Sequence, residues 1–157
     1  MQSNKPLKQM HACTGNVSEM RLILYSDGAS RGNPGISAVA FMIISGDGKA
    51  LEKQSEYVGI RTNNQAEYEA LISALEFAST LTDQEVTCYT DSELVVKHLN
   101  GKYRVRNPKL KILWLKIQKL KQRFREITFK NVPRTDIHIE QVDRLANRTL
   151  DKVEKNL

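Results

Sequence analysis

The chain has 157 residues, 40% hydrophobic and 27% charged, with 24 Lys/Arg against 18 Asp/Glu and a formal net charge of +6. That is the make-up of one globular domain long enough to bury a core. No apolar run approaches the ~18 residues of a membrane span, the polar opening MQSNKPLKQM holds no signal-peptide core, and Cys13 and Cys88 are too few for a disulfide scaffold. Collagen, secreted mini-protein, membrane protein and zinc finger are excluded, and a monomer in the cytoplasm is expected.

Residues 1–19 show no periodicity and read as a flexible N-terminal extension, with the folded domain over 20–157. Arg21–Ser26 is a short apolar strand that runs into Asp27, and the Gly-, Asn- and Pro-rich stretch Gly28–Gly35 reads as a turn. Ile36–Ser45 is apolar at successive positions, as a central strand is, and Gly46–Gly48 reverses the chain into a more polar strand, Lys49–Val58. Asn63 and Asn64 precede apolar residues at Ala70, Leu71, Ala74, Leu75 and Ala78, the spacing of a helix.

Glu85–Thr90 is a fourth strand, ending at Asp91, and Ser92–Leu99 a short helix stopped by Asn100–Gly101. Pro108 opens a longer helix whose stripe runs through Leu110, Leu113, Trp114, Ile117, Leu120 and Phe124. Glu126–Val132 predicts a last strand and Gln141–Val153 a last helix, with Val142, Leu145, Ala146 and Leu150 inward. The order β-β-β-α-β-α-α-β-α is that of a mixed α/β domain.

Charge is divided unevenly along this order. Residues 1–100 carry 8 basic and 12 acidic side chains, whereas residues 101–157 carry 16 and 6. From Leu94 to Arg125 there are 11 basic residues and no acid. A solvated helix face normally mixes both signs, so a one-signed stretch points to a polyanion, nucleic acid above all.

Four carboxylates stand out against this background. Asp27 and Asp91 each follow an apolar strand, and ligands of open α/β sheets bind beyond the carboxyl ends of strands. Taken alone, Asp27 also fits a turn aspartate and Asp91 an N-cap. Glu67 is in helical line with Leu71, Ala74 and Ala78, where a lone carboxylate must be paired, protonated or metal-bound. Asp143 falls near the start of the last helix, where a negative charge is favourable in any case. Four such acids without a Cys or His cluster favour a hard cation, Mg²⁺ or Mn²⁺. Carboxylate-held metal beside a polyanion surface is the apparatus of phosphodiester cleavage.

The stretch Tyr25–Gly35 (YSDGASRGNPG) resembles the opening signature of the type 1 ribonuclease H family. Thr62–Tyr68 (TNNQAEY) resembles its second motif, Tyr89–Ser92 (YTDS) its third, and Asp143–Asn147 (DRLAN) its fourth. The resemblance implies a five-stranded mixed sheet, first three strands antiparallel, flanked by helices. It implies a divalent-metal endonuclease, using Mg²⁺ with Mn²⁺ as a substitute and no small-molecule cofactor. That enzyme cuts the RNA strand of RNA–DNA hybrids by a two-metal mechanism, leaving 3′-hydroxyl and 5′-phosphate ends.

By the same resemblance Asp27, Glu67, Asp91 and Asp143 are the catalytic, metal-binding acids, Asn33, Asn63 and Asn64 contact nucleic acid, and Thr62 grips a DNA phosphate. Two alternatives stay open, a catalytically idle nucleic-acid-binding domain of this fold and a transposase- or resolvase-like nuclease.

The sequence departs from the family pattern in two informative places. Some members carry a long Trp- and Lys-rich protrusion where this chain has only Gly101–Lys109 (GKYRVRNPK), which leaves Lys102, Arg104 and Arg106 as its candidate phosphate contacts. Members with an accessory histidine place it in a glycine-rich loop before the fourth acid. Here the loop is PRTDIHIE, and His138 is the candidate for assisting proton transfer or product release.

Overall fold

The computed structural model describes residues 21–157, so the expected extension over 1–19 and Cys13 lie outside the described residues. Five strands form one sheet in the order β3-β2-β1-β4-β5. These are β1 (Leu22–Gly32), β2 (Gly35–Ser45), β3 (Ala50–Arg61), β4 (Glu85–Thr90) and β5 (Glu126–Asn131). β1, β2 and β3 pair antiparallel, while β1 with β4 and β4 with β5 pair parallel, which is the mixed sheet expected.

Among the described residues four helices cover the sheet: α1 (Asn63–Ala78), α2 (Glu93–Leu99), α3 (Pro108–Lys121) and α4 (Ile137–Lys155). Alternation along each strand divides the core in two. Leu22, Leu24, Phe41 and Ile43 face the α1 side and pack with Tyr68, Leu71, Leu75, Ile117 and Leu120. Ala38, Ala40 and Met42 face the other way and meet Val142, Ala146 and Leu150 of α4. None of the helices is long and apolar enough to cross a membrane, among the described residues.

Four boundaries differ from the sequence reading. The segment Gly28–Gly35 is not one long turn. β1 continues to Gly32, each residue paired with β2 down to Gly32 opposite Gly35, so only Asn33 and Pro34 turn the chain. Glycine is needed at 28 because the helix comes close: a Cβ there would collide with the Ala66 backbone. β3 likewise runs past Gly59, whose φ of +87° lies beside a register shift at Ser37/Ala38 and makes a bulge rather than an end.

The last helix starts four residues early, at Ile137, because the Asp136 carboxylate caps it by accepting the His138 and Ile139 N–H groups at 2.9 and 3.1 Å. Asp143 therefore lies in the second turn, away from the helix end that would have explained it. α3 stops at Lys121, and Phe124 stays buried from the turn that follows.

Candidate active site

The β1–β4 pairing ends at Tyr25 opposite Tyr89. Beyond that pair the sheet forks. β1 goes on with β2, Asp27 opposite Ala40, while β4 ends at Thr90 and turns into α2. Asp27 and Asp91 each lie two residues past the last pair and so face each other across the fork. Asp27 lies within a strand rather than at its end, yet on its β4 side the ladder has already stopped. Asp91 is not the cap of α2. Ser92 is, its hydroxyl accepting the Val95 N–H at 3.3 Å, which leaves the Asp91 carboxylate uncommitted to the helix.

Glu67 reaches the same point from above. Thr62 and Gln65 close a reciprocal capping box at the start of α1, with bonds of 3.1 and 2.8 Å. The glycine at 28 lets that turn of helix settle on the sheet, and the Gly28 N–H donates to Glu67 Oε1 at 3.1 Å. Glu67 thus ends the buried face of α1 where it opens on the cleft. Carboxylate oxygens of Asp27, Glu67 and Asp91 lie within 4.8 Å of one another. Asp143, exposed on α4, is near enough to help raise the Asp27 carboxyl, and it lines the cleft with Asp91, Arg134, Ile139 and Glu140.

Crowding controls the charge here. Asp27 is 4% exposed, and burial pushes its carboxyl well above the usual range, with Glu67 and Asp91 pushing the same way. Burial and then the Asp91 charge raise Glu67 too, opposed by the Gly28 N–H, by Asp27 and by Arg134. Two unit charges at such a separation repel by on the order of 3 kcal/mol at an effective dielectric near 20. A cation with oxygen coordination relieves that repulsion, and an all-carboxylate donor set fits a hard divalent ion rather than a soft one.

The structure places the other candidates around this cluster in different ways. Asn33 Oδ1 accepts the Asn63 N–H at 2.9 Å, tying the β1–β2 turn to the start of α1, and the Asn63 and Asn64 side chains are exposed beside it. Thr62 uses its oxygen as cap and keeps its hydroxyl proton to donate. Lys102, Arg104 and Arg106 are exposed on the α2–α3 loop, which buried Val105 anchors. His138 is in the first turn of α4 with its ring against Tyr25.

Sequence reasoning passed over Arg134, which reaches Asp91 at 3.5 Å with a side chain 91% exposed. Its one signal was being the basic residue of the loop before the fourth acid. Lys97, counted with the free basic residues, is instead paired with Glu93 at 3.1 Å and lies over the Tyr103 ring.

Comparison with known proteins agrees with this geometry. The family described as reverse transcriptase-like matches residues 25–149. The chain is 40% identical to the Ribonuclease HI of Halobacterium salinarum, over 83% of this chain and 65% of that protein. The crystal structure of RNase H1 from that archaeon superposes with a TM-score of 0.80 at 41% identity, covering 84% of this chain and 98% of that one. LC11-RNase H1, solved in complex with an RNA/DNA hybrid, superposes with a TM-score of 0.78 at 40% identity over 84% and 98%. The chain spans less than two thirds of the curated relatives it matches first, down to 36% of a bifunctional protein of Mycobacterium tuberculosis.

Proposed function

The chain belongs to the type 1 ribonuclease H family, and from that premise we propose that it hydrolyses the RNA strand of RNA–DNA hybrids, leaving 3′-hydroxyl and 5′-phosphate ends. The observation that carries the reading is the set of three carboxylates within 4.8 Å at the fork between β1 and β4, with Asp143 beside it. In this reading Asp27, Glu67, Asp91 and Asp143 hold Mg²⁺, with Mn²⁺ as a substitute. When bound, the metal supplies charge to activate water and to steady the leaving oxygen.

The chain's own groups do the rest. Gly28 orients the Glu67 carboxylate through its N–H. Asn33, held to the backbone of Asn63, keeps the turn and the start of α1 in one rigid ridge from which Asn63 and Asn64 meet sugar hydroxyls across a minor groove. The Thr62 hydroxyl donates to a DNA phosphate, and Lys102, Arg104 and Arg106 supply phosphate grip without reading bases. A monomer acting in the cytoplasm belongs to the same reading, supported by low cysteine content and by Cys88 being free and buried.

A cleavage assay on hybrid, duplex DNA and single-stranded RNA tests the proposal. The hybrid is expected to be cut with little sequence preference and duplex DNA to stay whole. Comparable cutting of duplex DNA would indicate a transposase-like nuclease, and binding without cutting an idle domain.

A further inference from the structure

Three rings meet on the sheet face that α4 covers. The Tyr25 and Tyr89 centroids are 5.1 Å apart with planes 18° from parallel, and the His138 ring lies against Tyr25 at 4.5 Å and 30°. β1, β4 and α4 contribute one ring each. β1 and α4 also carry Asp27 and Asp143, and Asp91 directly follows β4.

The register gives this coincidence a mechanical meaning. Tyr25 and Tyr89 are the last residues that the β1–β4 ladder pairs, and the next side chains on that face are Asp27 and Asp91 themselves. Past the ladder, no sheet hydrogen bond between these strands fixes their spacing. The stacked rings are the last link before the acids, and stacking holds two aromatic faces at a defined separation.

His138 adds the third element. Its N–H is bound by the Asp136 cap at 2.9 Å while its ring bears on Tyr25. The start of α4, and with it Asp143 five residues on, is thereby seated against β1.

We infer that Tyr89, Tyr25 and His138 are positioning residues that set the spacing of Asp27, Asp91 and Asp143, with His138 acting through its ring face rather than as a proton carrier. The inference rests on the reading that these acids hold divalent metal. It predicts that a flat ring suffices at 138 and at 25, and that neither the imidazole nitrogens nor the Tyr25 hydroxyl matter to the site.

Titrating Mn²⁺ into the full chain by calorimetry, without nucleic acid, tests it alongside hybrid cleavage measured against Mn²⁺ and pH. His138→Ala and Tyr25→Leu are expected to weaken Mn²⁺ binding by about 10-fold and to lower kcat more than they raise KM, the scale typical of groups that orient metal ligands. His138→Phe and Tyr25→Phe are expected to recover Mn²⁺ affinity to within about twofold and to keep the shape of the wild-type pH–rate profile. Melting curves guard against Tyr25→Leu failing to fold, and His138→Ala, in a half-exposed first turn, keeps the test open in that case.

If His138→Phe is as slow as His138→Ala while both bind Mn²⁺ like the wild type, His138 is a proton-transfer group and the inference is wrong. It is also wrong if all four variants bind Mn²⁺ unchanged. A wild type that binds Mn²⁺ but leaves hybrid intact would instead overturn the proposed activity, and the calorimetry would still judge the stack.

Discussion

Asp27, Glu67 and Asp91 stand with carboxylate oxygens within 4.8 Å of one another at a fork in the sheet, whereas Lys102, Arg104 and Arg106 stand apart on an exposed loop. Both regions concentrate one sign of charge, and they do so with different physics. In the cleft the charges are desolvated, so each feels its neighbours strongly and each has a position that no other residue can fill. On the loop and along α3 the charges are in water, screened over about 10 Å at ordinary salt. Among the described residues no acid pairs with a basic side chain of α3. Crowded charge makes a site that fails all at once; dispersed charge makes a surface that weakens by degrees.

The largest effect expected is in the cleft. Asp27→Asn keeps the shape of the side chain and removes the charge that, in the proposed function, holds a divalent ion, so hybrid cleavage should fall roughly a thousandfold or more, the scale of losing ~4 kcal/mol of transition-state stabilisation. Asp91→Asn and Glu67→Gln should behave alike. Full activity in any of the three would remove that residue from the catalytic set and blur the contrast with the loop.

The same crowding should show in stability without metal. Asp27 and Glu67 have folded-state carboxyl groups raised above their ordinary values of 3.8 and 4.5, so each binds its proton more tightly folded than unfolded. Their contribution is therefore full at low pH and is lost as pH rises through the raised range. In EDTA the wild type should melt lower at pH 8 than at pH 5. Asp27→Asn should flatten that fall and gain several degrees at pH 8, at about 2–4 °C per kcal/mol for a chain of this size. Identical pH profiles for the two proteins would show that the carboxylates do not compete in the folded state.

The loop should answer differently. Neutralising Lys102, Arg104 and Arg106 together should raise KM for hybrid and flatten its salt dependence by up to about one unit of slope for each phosphate no longer neutralised. Turnover at saturation should change little, because such grip is felt equally before and during the reaction. A drop in kcat matching that of the acids would place this loop in the cleft's chemistry.

The smallest effect is expected at the far end of α3. Arg123 already donates to the Ser79 hydroxyl at 3.2 Å and Arg125 to the Gln84 side chain at 3.2 Å, so these groups are spoken for by the protein. Neutralising Lys121, Arg123 and Arg125 should weaken hybrid binding less than the loop triple does. The reverse order would move the nucleic-acid groove to the other end of the helix.

Much of this molecule was written locally. The continuous apolar run of β2, the helical spacing of Leu71, Ala74 and Ala78, and Pro108 opening α3 are short-range patterns, and the element order follows from them. The four acids were legible too, because each stands at a boundary or on an apolar face where a charge needs a reason. Other features depend on residues distant in sequence. That Gly28–Gly32 is strand rather than turn depends on β2 lying alongside to pair it and on α1 pressing so close that only glycine fits at 28. That Asp136 caps α4 four residues early depends on Ile139 being buried beneath it, which the loop-like stretch PRTDIHIE does not reveal.

The sequence by itself determined the order of elements, the division of charge and the identity of the acids, because these rest on periodicity and residue chemistry within a few neighbours. Only the tertiary structure decided that Asp27 and Asp91 meet across a fork, that Arg134 reaches Asp91, and that the His138 ring lies against Tyr25. Distances between residues 43 to 113 positions apart are set by strand register and helix packing, and no local pattern encodes them.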